Sequence, residues 1–191
     1  MRNSLLHLLT VCTLTGAVSA GSLSIMGPYT IYAEKMYQCE PGESTGKITI
    51  EAEVTKFDVK RPHNLQLVTA TMNMTRPFTD NYWGKVRVDA YSNGQWKPNA
   101  LVFPFKERGC TNMRTHLGMV FMALFKKKNM DKKVCHVPAG IYSCDKEPMN
   151  WTFPHFPILP YGFYRFHWVG GEGDETYMCH NTEGHSIPRR G

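Results

Sequence analysis

The chain has 191 residues, with 22 Lys+Arg against 16 Asp+Glu, a formal charge of +6, and 42% hydrophobic residues. That length suits one domain with a proper core. The positive excess is mild and spread out, without the clustered basic stripe and stacking aromatics that nucleic-acid binding needs, so nucleic acid is excluded as a partner.

At the N-terminus, Arg2 precedes an apolar run containing Leu5, Leu6, Leu8, Leu9, Val11 and Leu14, and Ala17-Val18-Ser19-Ala20 supplies small residues for a cleavage site. Charged, apolar and small regions in that order read as a signal peptide over residues 1–20, too short to span a bilayer. The expected mature domain, residues 21–191, is a single unit of 171 residues with charge +5 once Arg2 is removed. Its longest apolar run, Met119 to Phe125, falls well short of a membrane span, so a released, extracellular protein is expected. Cys12 leaves with the leader, and Cys39, Cys110, Cys135, Cys144 and Cys179 remain, an odd number in an oxidising compartment. Two bridges and one leftover thiol is the simplest account. Sequons at Asn73-Met74-Thr75 and Asn150-Trp151-Thr152 make Asn73 and Asn150 candidate glycosylation sites.

Strand signals dominate the mature chain. Tyr29 to Gln38 is rich in Tyr and Ile, and Ile48, Ile50, Ala52 and Val54 alternate with Thr49, Glu51, Glu53 and Thr55, a half-buried strand pattern. Leu65, Leu67 and Thr69 interleave with Gln66, Val68 and Ala70, which suggests a strand covered on both faces. Tyr82, Gly84, Val86, Val88 and Ala90 alternate with Trp83, Lys85, Arg87, Asp89 and Tyr91; Ser92-Asn93-Gly94 then forms a tight turn, and Ala100 to Phe105 returns. Met113, Leu117, Val120, Phe121 and Leu124 recur at helical spacing and are followed by Lys126-Lys127-Lys128, so a single helix is expected over 112–126 with cations at its negative end. Strands follow at Ala139 to Ser143, Gly162 to Val169 and Glu175 to His180. Gly170-Gly171-Glu172-Gly173-Asp174 joins the last two as a hairpin turn, since no helix follows to aim its N-terminus at a phosphate. Six to eight short strands and one helix predict a mainly β, two-sheet sandwich or cup.

No catalytic constellation stands out: there is no Gly-x-Ser-x-Gly elbow, no His-Glu-x-x-His and no paired-cysteine zinc spacing. His63, His116, His136, His155, His167, His180 and His185 are scattered singly, and ordinary surface or hydrogen-bonded roles explain them better than a metal. Neither an enzyme, a metal site nor a cofactor is therefore expected.

The C-terminal third carries a recognisable pattern. From Cys135 it reads CHVPAGIYSCDKEPMNWTFPHFPILPYGFYRFHW, then a Gly-rich turn, then ETYMC; upstream stands FPFKERGCTNMRTHLG. A cysteine before a Pro-x-Gly-x-Tyr strand, a Pro-rich apolar stretch, a Gly-x-Tyr-Arg strand and a closing cysteine resemble the ganglioside activator proteins, and still more the insect chemosensory CheB proteins. The likeness is strongest from Cys110 to Cys179. It implies a β-cup of the lipid-recognition group, with an apolar cavity between the sheets and the helix at a mobile rim. It also implies bridges Cys110–Cys135 and Cys39–Cys179, with Cys144 left over, either buried and inert or joined to a second chain. Activator-type bridges around the helix are missing, which implies a looser rim.

The function implied is a secreted binding protein for a lipid or other hydrophobic small molecule, in taste or pheromone perception. The alternative is a protein-interaction module or hydrolase activator that presents lipid to a partner. Candidate cavity residues are Leu117, Phe121 and Leu124 on the helix, Phe153, Phe156, Ile158 and Leu159 in the Pro-rich stretch, and Tyr164 and Phe166 on the next strand. Each is equally an ordinary core residue by composition; Pro154, Pro157 and Pro160, by denying regular ladder bonding, favour a pocket lip. Lys126-Lys127-Lys128 and Lys132-Lys133 are a solvated face or a contact for anionic headgroups at a membrane surface. A receptor is the remaining candidate partner.

Overall fold

The computed structural model describes residues 25–126, 133–151 and 157–189. The leader, Phe153, Phe156, His155, Lys127, Lys128 and Lys132 lie outside the described residues. Eight long strands dominate: β2 (Tyr29–Gln38), β3 (Ile48–Val54), β4 (Gln66–Met74), β6 (Trp83–Ser92), β7 (Gln95–Phe105), β9 (Gly140–Met149), β11 (Gly162–Glu172) and β12 (Glu175–Pro188). Two-residue strands β1 (Met26–Gly27), β5 (Phe78–Thr79), β8 (His136–Val137) and β10 (Leu159–Pro160) pair as β1–β10 and β5–β8.

The long strands form two antiparallel layers, a five-stranded sheet in the order β2-β12-β11-β6-β7 and a three-stranded sheet in the order β3-β4-β9. The result is a β-sandwich of cup type. Contacts between the layers concentrate where β2 and β12 meet β3. Gln38 Nε2 crosses that junction to donate to the Ile50 carbonyl, and Gln66 ties the same side together. Its Oε1 accepts from the Ala33 N–H at 2.8 Å and from Trp151 Nε1 at 2.9 Å. Its Nε2 donates to the carbonyls of Ala33 and Thr55. A buried amide with all this capacity used is a structural clamp.

Local sequence explains most elements. Asn93 (φ 52°) and Gly94 (φ 76°) both hold positive φ, as the tight turn between β6 and β7 requires. The Gly-rich stretch 170–174 is a hairpin, but Gly170, Gly171 and Glu172 still belong to β11, and Gly173 and Asp174 make the turn. Two expectations need correction. In β4 the buried set is Gln66, Val68, Ala70, Met72 and Met74, while Leu65, Thr69, Thr71 and Asn73 are exposed, so the strand is covered on one face only. The strand runs on to Met74, and its apolar Met72 and Met74 share a phase with Gln66 and set which face turns inward.

The second correction concerns the helix. Instead of one helix over 112–126 there are two, α1 (Gly109–His116) and α2 (Gly118–Phe125), meeting at Leu117, whose φ of −121° and ψ of 43° are not helical. Gly118 makes this the weakest helical position. The break also lets each half meet its own constraint. Gly109 lies under the Tyr82 carbonyl, to which its N–H donates at 2.8 Å, and Cys110 is bound to Cys135. In α2, Phe125 packs edge-on against Tyr142 of β9.

The structure joins Cys39 to Cys179 across 140 residues and Cys110 to Cys135 across 25. By loop entropy these are worth roughly 5 and 3–4 kcal/mol respectively. Cys144 is a free, buried thiol in β9, and burial pushes its pKa up, which disfavours the reactive thiolate. No helix among the described residues is long and apolar enough to cross a membrane.

Candidate functional site

Most of the buried apolar residues fall into two clusters, with Tyr29, Ala33 and Cys179 in neither. The first gathers Ile48, Val68, Ala70, Met72 and Met74 of the three-stranded sheet with Phe121, Leu124 and Phe125 of α2 and the Cys110 and Cys135 pair, and reaches Tyr177 of β12 in the facing sheet. The second lies on the five-stranded sheet: Val88, Tyr164 and Phe166, flanked by Val86, Ala90, Phe103 and Trp168. Alternation on β11 puts Tyr164, Phe166 and Trp168 on one face, and antiparallel pairing puts Ala90, Val88 and Val86 of β6 beside them. On β12 the same face carries Gly184, Thr182 and His180.

The candidate cavity residues are therefore divided. Phe121 and Leu124 belong to the first cluster, where Phe121 packs edge-on against Phe125 at 4.8 Å between ring centroids. Tyr164 and Phe166 belong to the second, with centroids 6.4 Å apart. Leu117 is half-buried at the helix junction. Leu159 pairs with Gly27 in the small β1–β10 sheet, and Ile158 beside it is 51% exposed. Phe153 and Phe156 lie outside the described residues.

The opposite face of the five-stranded sheet is polar and aromatic. Asp89, only 1% exposed, accepts from Arg165 Nη2 at 2.8 Å and from the Asn99 N–H at 3.0 Å. Burial pushes its carboxyl up, but Arg165, the Asn99 N–H and Arg87 outweigh that and hold its pKa low. Across all five strands runs a register row of rings, Tyr32, His185, Phe163, Tyr91 and Trp96, with Phe57 stacked on Tyr32. Phe163 and His185 lie nearly parallel, 4.5 Å apart, so these rings spend their faces on one another.

The histidines take distinct roles. His167 lies against the Cys39–Cys179 bridge, bonded to Asn181 at 2.9 Å, with Glu43 at 3.5 Å. Cys39, Glu43, His167 and Cys179 converge closely enough to hold a metal, as do Asp80, Cys110 and Cys135, but each group includes a disulfide whose sulfurs are already committed. His180 and His185 occupy opposite faces of β12 and do not converge. Both His180 ring nitrogens are buried without a hydrogen-bond partner among the described residues, and burial lowers its pKa to about 4. Sequence patterning placed His180 at the end of an expected strand but missed it as a site residue, because a histidine in a strand is ordinarily solvated.

Lys126 Nζ donates to the Ala123 carbonyl at 3.0 Å, occupying an open carbonyl at the end of α2. Lys133 is exposed, and Met119 and Met122 of α2 are 43% and 46% exposed. An open groove of about 360 Å³, lined by residues including Trp83, Lys85, Pro104 and Phe105, touches none of the described candidate residues. Asn73 lies on the exposed face of β4, and Asn150 is also exposed. No protein-family model matches the chain, and no curated protein matches it.

Proposed function

We propose that this chain is a secreted, non-enzymatic binding protein for a lipid or other hydrophobic small molecule, held between the two sheets. The observation that carries the reading is that Val88, Tyr164 and Phe166 form an apolar patch on the five-stranded sheet, separate from the larger cluster that joins α2 and the three-stranded sheet to Tyr177 of β12. Each alkyl CH₂ transferred between such surfaces gains roughly 0.8 kcal/mol before ordering costs, so affinity needs no elaborate polar site. Secretion is supported by the leader-like N-terminus and by two disulfides, which persist in oxidising compartments. The resemblance of the Cys110–Cys179 region to CheB proteins supports a role in taste or pheromone perception.

Denaturing mass spectrometry of an organic extract tests this reading. Protein purified from its natural secretion is expected to release about one lipid or hydrocarbon molecule per chain. An empty extract together with tightly packed layers in a high-resolution structure would overturn it. Glycosylation at Asn73 and Asn150 belongs to the same proposal, and digestion with peptide N-glycosidase is expected to lower the mass of the secreted protein.

A second reading has one observation in its favour. Met119 and Met122 leave an adaptable apolar patch on α2 beside Lys126, suited to a membrane surface, a receptor or a hydrolase that receives presented lipid. Pull-down of such a partner with lipid-loaded protein, but not with stripped protein, would favour presentation over simple transport.

A further inference from the structure

The two faces of β12 treat their polar groups differently. On the outward face Asn181 is bonded to His167, Glu183 accepts from the Tyr37 hydroxyl at 2.7 Å, and His185 lies 3.1 Å from Glu34. On the inward face stand His180, Thr182 and Ser186, which are 5%, 8% and 2% exposed. Neither nitrogen of His180 has a hydrogen-bond partner among the described residues, nor does the Ser186 hydroxyl. Buried polar groups are nearly always paired, and leaving an imidazole wholly unpaired is costly. His180, with two stranded ring nitrogens against one hydroxyl at Ser186, is the larger deficit, and it is His180 that lacks a partner on the inside.

His180 also occupies a telling place. Its cross-strand neighbours are Trp168 on β11 and Gln38 on β2, and Gln38 is the residue that bridges to Ile50 of the facing sheet. His180 therefore sits near the side where the layers meet, whereas β7, at the opposite edge of its sheet, is exposed along most of its length. The next residue on its face, Thr182, is flanked by Phe166 and Met36. None of these neighbours is charged.

We infer that His180 is the polar anchor of the cargo site, and that the cargo is a long apolar molecule bearing one uncharged hydrogen-bonding group, such as an alcohol. This rests on the carrier reading above and adds to it the chemistry of the guest. A neutral imidazole offers one N–H donor and one lone-pair acceptor, and a hydroxyl group complements both. A carboxylate finds no fixed cation among the neighbours named, and burial opposes the imidazolium that would have to serve it. A pure hydrocarbon would leave both nitrogens stranded.

The test uses the full secreted chain, stripped of lipid, with displacement of a fluorescent apolar probe by dodecanol, dodecane and dodecanoate. Dodecanol is expected to bind roughly fivefold to tenfold more tightly than dodecane, the equivalent of one buried neutral hydrogen bond. His180→Phe is expected to abolish that preference while leaving dodecane affinity nearly unchanged, and His180→Gln to retain part of it. Ser186→Ala, about 20 Å further along the strand, serves as a control that keeps it. If His180→Phe does not fold, ring-nitrogen NMR of the unmutated protein decides, with the His180 signals moving on addition of dodecanol but not dodecane. Equal binding of alcohol and alkane, a preference surviving in His180→Phe, or unmoved ring signals would overturn the anchor and leave the carrier intact. Failure of all three ligands to displace the probe overturns the carrier reading and the anchor with it.

Discussion

Gln66 shows how much can depend on one polar side chain. Its four hydrogen bonds join β2, the end of β3, and Trp151 to β4, at the side where the sheets meet. Gln66→Leu keeps the volume but strands the Ala33 N–H and carbonyl, so a loss of about 2–4 kcal/mol is expected in denaturant unfolding, more than an average substitution. His180 makes a second residue-scale prediction. Its pKa is lowered from 6.5 to about 4 by burial, so the unfolded chain binds the extra proton first. Stability is therefore whole above pH 6.5 and declines as pH falls towards 4, by about 3 kcal/mol in total at roughly 1.4 kcal/mol per unit. Unfolding midpoints measured across that range should show the slope, and His180→Phe should flatten it. Neither residue announces itself in the sequence, because a Gln or His in a strand is ordinarily solvated.

Among the elements, the hairpins were the most legible. The β6–β7 turn needs only Asn93 and Gly94, and β2 and β3 match the Tyr29–Gln38 and Ile48–Thr55 patterns closely. The end of β12 was not legible. Residues 181–188 carry few strand-favouring side chains, and their backbone is held by pairing with β11 on one side and β2 on the other. The broken helix was also hidden, since the period-3.6 pattern continues through Leu117 while the chain does not. At the start of α1, a Cβ on Gly109 would come within 2.6 Å of the Tyr82 carbonyl oxygen. Gly109→Ala must therefore push the start of α1 away from Tyr82, costing about 1–3 kcal/mol. A lower melting temperature with faster proteolysis near residues 109–126 is the expected signature; an unchanged melt would show that α1 can shift freely.

For the whole molecule, two layers meet at β2–β3, and the Val88, Tyr164 and Phe166 patch of the five-stranded sheet stays apart from the larger cluster; the proposed guest would lie against that patch. A guest that binds only the folded state stabilises it by mass action, so stripping lipid should lower the melting temperature and re-adding a ligand at about 100 times its Kd should restore about 2.7 kcal/mol. A melt indifferent to stripping and reloading would count against cargo between the sheets. The division of labour between sequence and structure follows from range. Strand content, turn positions and the mainly β class are written in neighbouring residues, because alternation and positive-φ turns act over two to four positions. Which face of β12 turns inward, that Gln66 clamps Ala33, and that Tyr164 and Phe121 fall in different clusters depend on partners far away in the chain. Those partners become neighbours only when the sheets assemble, and only then do buried polar groups acquire, or lack, something to bond.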